Sequence, residues 1–506
     1  MKKFLLMSVC MVVILFSSCD LILDIILGNE GSTDPAYGNF WAKNFKTDKD
    51  YRVDADLLAK GVYCNVYVEK DSGVNAARAK EVAAHYDTKI YPEMIKNFSV
   101  KDISYKLLGE TYKFNNIMDF ADWYVDEDGK LTILLLDIKD GYNGITETSY
   151  TAGYFWLGDF FKREDSNERD MIYIDIKPGM DSKNISETYK TLAHEMQHLM
   201  NFATSLLLRA PKNANGQITA LSYMDTWIDE GLSAAAEWVY SGEHSTDRVA
   251  WYNLNGGGNG LINKGNTFFV WGNRSSEVRT AVLDDYATVY LFFQWLRLQT
   301  SSDIYRDIIT GQNNNYTAVT SAFNKAVSPG YSWDELLKTW LAANYINSPT
   351  GRYGYMNDSV LKNVRVPSSS TAISANISLA QGEGVYSLMG VSPVMPAPTT
   401  NIKYASLAKN PATVDNNAAN GRVLLTYNVN TTLERDSNSN YISISNSGTT
   451  TGIPIPAANI SADGRSALSA INGPHRVSGW DMIKRNQISD KQLKAVNLNK
   501  GIISDE

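Results

Sequence analysis

The sequence predicts an α+β protein in which a region of mixed strands and helices is followed by a β-rich one. Three observations carry that prediction. KLTILLLDIKDG and DMIYIDIKPG read as strands closed by turns, and four stretches between residues 184 and 346 repeat apolar residues at helical spacing. Beyond residue 365 the composition shifts to short Ser/Thr/Asn-rich runs with β-branched residues. At 506 residues the chain exceeds one ordinary core, so more than one domain is expected. Apolar content of 44% and charged content of 20% exclude a disordered chain and a multi-span membrane protein.

The chain opens with Lys2 and Lys3, an apolar run from Phe4 to Phe16, and Ser-Ser-Cys ending at Cys19. This reads as a secretory signal over 1–18, too short to span a bilayer comfortably. Its end resembles a bacterial lipoprotein signal, in which the cysteine is lipidated, although Phe16 stands where leucine is usual. That resemblance implies a lipid on Cys19 holding the protein at the bacterial cell envelope, on the periplasmic face of the outer membrane or at the cell surface; the alternative is a plain secretory signal and a secreted protein. Residues 19–39 read as a tether. Removal of 1–18 would take away two lysines and no acid, moving the formal charge from −8 to −10. An acidic chain of this kind argues against nucleic acid as a partner. Cys10 would leave with the signal and Cys19 would carry lipid, so Cys64 would have no partner for an intramolecular disulfide.

The first folded region is expected over 40–350. Residues 74–98 carry Val74, Ala77, Val82 and Ile90 at helical spacing. Ile133 to Leu136 forms a continuous apolar run, the mark of a buried strand, whereas Met171 to Ile176 alternates and reads as half-exposed. Over 184–204, Ile185, Leu192, Met196, Leu199 and Ala203 define a helix, with Asn184 and Glu187 as a capping-box variant. Residues 225–242 read as a second helix, capped by Asp225 or Thr226 and ended near Gly242. Residues 253–275, with NLNGGGNG and FFVW, read as loop and groove lining, and helices follow over 284–299 and 332–346. A β-sandwich-like domain is expected over 365–475 and a polar tail over 476–506.

The chemistry concentrates in TLAHEMQHLM. His194 and His198, four apart on a helix, share a face and can bind one ion. Glu195 lies about 100° further round, within reach of a water on that ion. Three protein ligands leave zinc an open position and lower the pKa of its water toward about 7. With five histidines in the chain, chance rarely supplies this pattern. A third ligand is needed, and Glu230 and Glu237 in WIDEGLSAAAEW lie nearly on one face two turns apart; Glu243 and His244 follow beyond the helix end. Glu237 and Asp229 also suit the role of orienting a ligand histidine. Tyr286 and Tyr290 in DYATVYLF could each offer a hydroxyl to an oxyanion. His85 and His475 have no partner motif.

HEMQH followed by WIDEGLS resembles the glutamate zincins, whose second helix carries Trp-x-x-Glu-Gly with that glutamate as a ligand. The metzincin continuation is absent, since Asn201 and Thr204 stand where it has glycine and histidine. Over about 131–300, GYFWLGDFFKREDSNERDMIYIDIKPG, TLAHEMQHLMNF, WIDEGLS and DYATVYLFFQWL resemble in order the hyicolysin-type neutral metallopeptidases. The resemblance implies a zincin-like domain, one zinc ion per chain on His194, His198 and Glu230, and Glu195 as general base. By similarity to the Tyr-x-x-Gly stretch of aminopeptidase relatives, Tyr286 takes the oxyanion position, with Val289 in place of the glycine. The implied activity is hydrolysis of protein or peptide substrates by an endopeptidase, there being no motif for gripping a free amine. The competing reading is a non-catalytic surface-binding lipoprotein that retains a zincin scaffold, for which a general base has no use. The alternating strand 171–177 is expected to border the cleft and pair with an extended peptide.

Overall fold

In a computed structural model the described residues are 37–147, 149–255, 282–366, 378–379, 381–389, 395–417, 423–431, 442–445, 450–452 and 475–478. The expected signal, nearly all of the tether, FFVW and most of the glycine-rich stretch lie outside them. Strands β1 (Tyr37–Asn44), β2 (Lys49–Lys60) and β3 (Cys64–Glu69) open the fold, so order begins within the span expected to be tether. Helices α1 (Ala76–His85) and α2 (Tyr91–Phe98) are joined through a π-type turn, Tyr86–Ile90. There the Tyr91 N–H bonds to the carbonyl of Tyr86, one residue further back than in an α-helix, just before Pro92, which cannot donate. The hairpin β4 (Lys101–Leu107) and β5 (Glu110–Asn116) leads to α3 (Ile117–Val125), capped by the Asn116 side chain.

The main sheet then continues with β6 (Leu131–Leu136), β7 (Ser149–Phe155) and β8 (Met171–Asp175). Its order is β1-β2-β3-β6-β8-β7, with His475–Ser478 pairing parallel to β7 beyond it. β3, β6 and β8 run parallel, and β7 returns antiparallel to β8. β6 is buried along its whole length at the centre, as a continuous apolar run requires.

β8 corrects the expectation of a half-exposed strand at the cleft. All five residues are buried, and β6 and β7 take both of its edges. Ile172 and Ile174 face the helices, while Met171 and Tyr173 enter a second core with Phe40, Val53, Tyr67 and Tyr154. Tyr173 stacks on Tyr154 at 4.1 Å, and its hydroxyl donates to Asp159 at 2.6 Å. The alternation is real; the Tyr173 hydroxyl and one Asp175 oxygen bond inside the protein instead of to water.

Helix α4 (Ile185–Leu208) packs on β7 and β8 and is followed by α5 (Thr226–Ser241), which packs against it. Asn184 does not cap α4 with its side chain, which donates instead to the Pro178 carbonyl. α5 is closed by Gly242 in the left-handed conformation, φ 68°. Helix α6 (Thr246–Asn255) takes the first residues of the stretch expected to be loop. α7 (Val282–Gln299) packs on α5, and α8 (Asp303–Ile309), α9 (Tyr316–Ala326) and α10 (Trp333–Ile346) complete the helical layer. A four-stranded and a three-stranded sheet lie in the β-rich region. Ala405, Leu407, Leu425 and Tyr427 of the larger sheet join the main core, and the Tyr386 hydroxyl donates to the Leu341 carbonyl of α10.

The α5–α7 contact depends on Gly231, where a Cβ would stand 2.2 Å from the Phe293 ring. Gly231→Ala must push the two helices apart, an overpacking cost of about 1–3 kcal/mol. A lower denaturant midpoint is expected; an unchanged midpoint would contradict the close approach.

Candidate active site

α4 and α5 bring His194, Glu195, His198 and Glu230 together, each at most 3% exposed. Helical spacing of four places the two imidazoles on one face, with ring centroids 4.9 Å apart. Glu230 Oε2 lies 3.4 Å from His194 Nε2 and 3.6 Å from His198 Nε2. Donors bound at about 2.0–2.1 Å and tetrahedral angles stand roughly 3.4 Å apart, so these three atoms have the separations of ligands sharing one ion. Neither Glu230 oxygen, though fully buried, has a hydrogen-bond partner among the described residues. Two nitrogens and one carboxylate oxygen form a donor set suited to zinc, and the residues present therefore fit the metal.

The far nitrogens are also held. His194 Nδ1 lies 2.9 Å from Glu237 Oε1, and His198 Nδ1 lies 3.1 Å from Asp229 Oδ2 and 3.1 Å from the Ser233 hydroxyl. A carboxylate only accepts, so in the neutral imidazoles Nδ1 carries the hydrogen and Nε2 keeps its lone pair facing Glu230. Asp229 is held in turn by Asn201, and Asn201 by Arg209 at 3.3 Å. Burial opposes charge on His194, yet Glu230 and Glu237 lift its pKa above the usual histidine value. His198 is likewise opposed by burial and lifted further by Asp229 and Glu230. Burial works against the Glu230 carboxylate, but His198 and His194 hold its pKa far below the usual range. The pocket thus favours positive charge at its centre.

Glu237 lies within reach of His194 Nδ1 and outside the His194–His198–Glu230 group. Glu243 pairs with Lys190 at 3.5 Å, away from that group. His244 bridges the Tyr290 hydroxyl, at 2.7 Å, and Asp358, at 2.9 Å. Tyr290 also accepts from the Ser245 N–H at 3.1 Å, so its hydroxyl is committed to the chain after α5. Tyr286 is fully buried with its ring 6.4 Å from that of His194, and the Arg248 guanidinium lies 4.6 Å from its ring centre. His85 stacks on Tyr189 and meets the Tyr240 hydroxyl at 2.5 Å, a packing role. Ser233 and Asp358 were not among the residues singled out from sequence. Ser233 sits one turn after Glu230 and could have been found by helical spacing, whereas Asp358, 114 residues from His244, left no local signal.

A buried His-His-Glu cluster carried by two packed helices beside a mixed sheet fits the HExxH-plus-glutamate class of zinc metallopeptidase sites. The chain is similar to a neutral metalloprotease, ShpI, of Staphylococcus hyicus, with 31% identity over 323 residues. The match covers 63% of this chain and 64% of that relative, less than two thirds of its length. No family model matches the chain.

Glu237→Ala would leave His194 Nδ1 without its acceptor, and an approximately 10–100-fold weaker zinc affinity is expected from chelator competition. Glu230→Ala removes a donor and should abolish stoichiometric zinc. A greater loss in the Glu237 variant would reverse the two assignments.

Proposed function

We propose that the chain is a zinc-dependent endopeptidase acting on protein or peptide substrates at the cell envelope. The buried grouping of His194, His198 and Glu230 at the spacing of ligands to one ion carries this reading, and the likeness to a metalloprotease supports it. His194, His198 and Glu230 hold the metal. When bound, zinc supplies Lewis acidity toward a carbonyl oxygen and makes water more acidic.

Glu195 takes the proton from the attacking water and delivers it to the departing amine. It follows His194 directly in α4 and is fully buried, so a proton held there is shielded from bulk water. The Tyr286 hydroxyl donates to the oxyanion that forms at the scissile carbonyl. Tyr290 is the weaker candidate because its hydroxyl already serves His244 and Ser245. Glu237 and Asp229 fix the rotation and tautomer of the two histidines.

Glu195→Gln keeps the size of the side chain and removes the base. Casein hydrolysis is expected to fall about 10²–10⁴-fold with one zinc per chain retained. Tyr286→Phe should lower kcat about 10²–10³-fold with little change in KM. Full activity in the first variant would remove the base assignment; absence of chelator-sensitive cleavage by the unmodified protein would leave the surface-binding reading.

Lipid attached at Cys19 would hold the enzyme on the membrane. Among the described residues no helix is long and apolar enough to cross one. Cys19→Ala is expected to move the protein from the membrane to the soluble fraction, and unchanged fractionation would count against the anchor.

A further inference from the structure

A second group of acidic side chains lies apart from the two active-site helices. Asp122 stands near the end of α3, Asp126 just after it, Asp128 in the turn before β6, and Asp170 immediately before β8. One carboxylate oxygen from each falls within 4.8 Å of all the others. Acidic clusters on a surface are commonplace, but Asp170 is 1% exposed, and its Oδ1 is buried without a hydrogen-bond partner among the described residues. The Asp170 carboxylate is turned into the cluster, to which it offers one oxygen. A buried carboxylate left in this condition is costly unless a cation completes it.

We infer that Asp122, Asp126, Asp128 and Asp170 form a binding site for a hard divalent cation, calcium by the number of carboxylates. All the donors are oxygens, which excludes the softer metals that prefer nitrogen or sulfur. Calcium takes about 6–8 oxygen ligands, whereas magnesium keeps several waters and is usually held by about one or two carboxylates; four carboxylates gathered together suit the former. Arg169 pairs with Asp128 at 3.1 Å, and a single guanidinium cannot balance four carboxylates. The cluster is also held in shape. Asp122 Oδ1 accepts the Gly129 N–H at 2.5 Å, Asp128 Oδ1 accepts the Lys130 N–H at 2.8 Å, and the Asp170 carbonyl accepts the Thr132 N–H at 3.0 Å.

The ion ties the end of α3 to the first residues of β6 and β8, the two central strands of the main sheet. Its consequence is stability of the sheet on which α4 rests, and it operates independently of the proposed peptidase chemistry.

The test uses the full zinc-loaded protein in calcium-free buffer, titrated with calcium and, separately, magnesium. Calorimetry should find calcium binding at this cluster with a stoichiometry of one, and Tm should rise with calcium more than with equal magnesium. Asp170→Asn and Asp126→Asn should lose both effects while keeping their zinc. In calcium-free buffer Asp170→Asn should melt no lower than the unmodified protein, since a buried repelling charge has been removed. Absence of a calcium-dependent Tm shift in the unmodified protein would overturn the site. So would retention of that shift by both variants, or a lower calcium-free Tm in Asp170→Asn. If Asp170→Asn does not fold, the titration of the unmodified protein and of Asp126→Asn decides.

Discussion

The packing of α4 against α5 is the constraint on which the rest of the molecule depends. It brings four carboxylates, those of Glu195, Asp229, Glu230 and Glu237, into an interior that also holds two imidazoles. Charges removed from water cost several kcal/mol each unless they are paired, so the two helices hold this interface only because the pairs are made. Glu237 meets one far nitrogen and Asp229 the other, which leaves both near nitrogens directed at Glu230. Orientation of the histidines and tolerance of buried acid are therefore one arrangement seen from two sides.

Such an interface needs a rigid frame. On one side β7 and β8 lie under α4, and on the other the ring of Phe293 fills the space that a side chain at residue 231 would need. The sheet is itself clamped between two cores, with Ile172 and Ile174 facing the helices and Met171 and Tyr173 facing the β1–β2 hairpin. A site that is costly in isolation is carried by apolar packing on every element that supplies it. Natural active sites commonly trade local stability for function in this way.

The same physics explains what could be read from the sequence. His194, His198, Glu230 and Glu237 were legible because all four lie on helices, where a fixed period converts spacing into a shared face. Asp229 was harder: as the residue before Glu230 it points elsewhere on α5, yet that direction reaches the opposite nitrogen of His198. β6 was legible from an unbroken apolar run. β8 misled because alternation of polar and apolar residues ordinarily signals one wet face, and here the Tyr173 hydroxyl and Asp175 carboxylate find protein partners instead. Contacts made only by the chain's return, such as His244 with Asp358 or Asp170 with Asp122, left no periodic mark.

The two clusters differ in chemistry in a way that keeps their functions separate. One presents two imidazole nitrogens and a carboxylate, the other four carboxylates. Borderline-soft zinc is drawn to nitrogen, whereas calcium is indifferent to it and takes oxygen in higher number. The two donor sets therefore suit different ions. The acidic centre lies where α3, β6 and β8 meet, and β8 in turn supports α4. A cation bound at the acidic centre would tie α3 to the sheet on which α4 rests, and the two centres share no ligand.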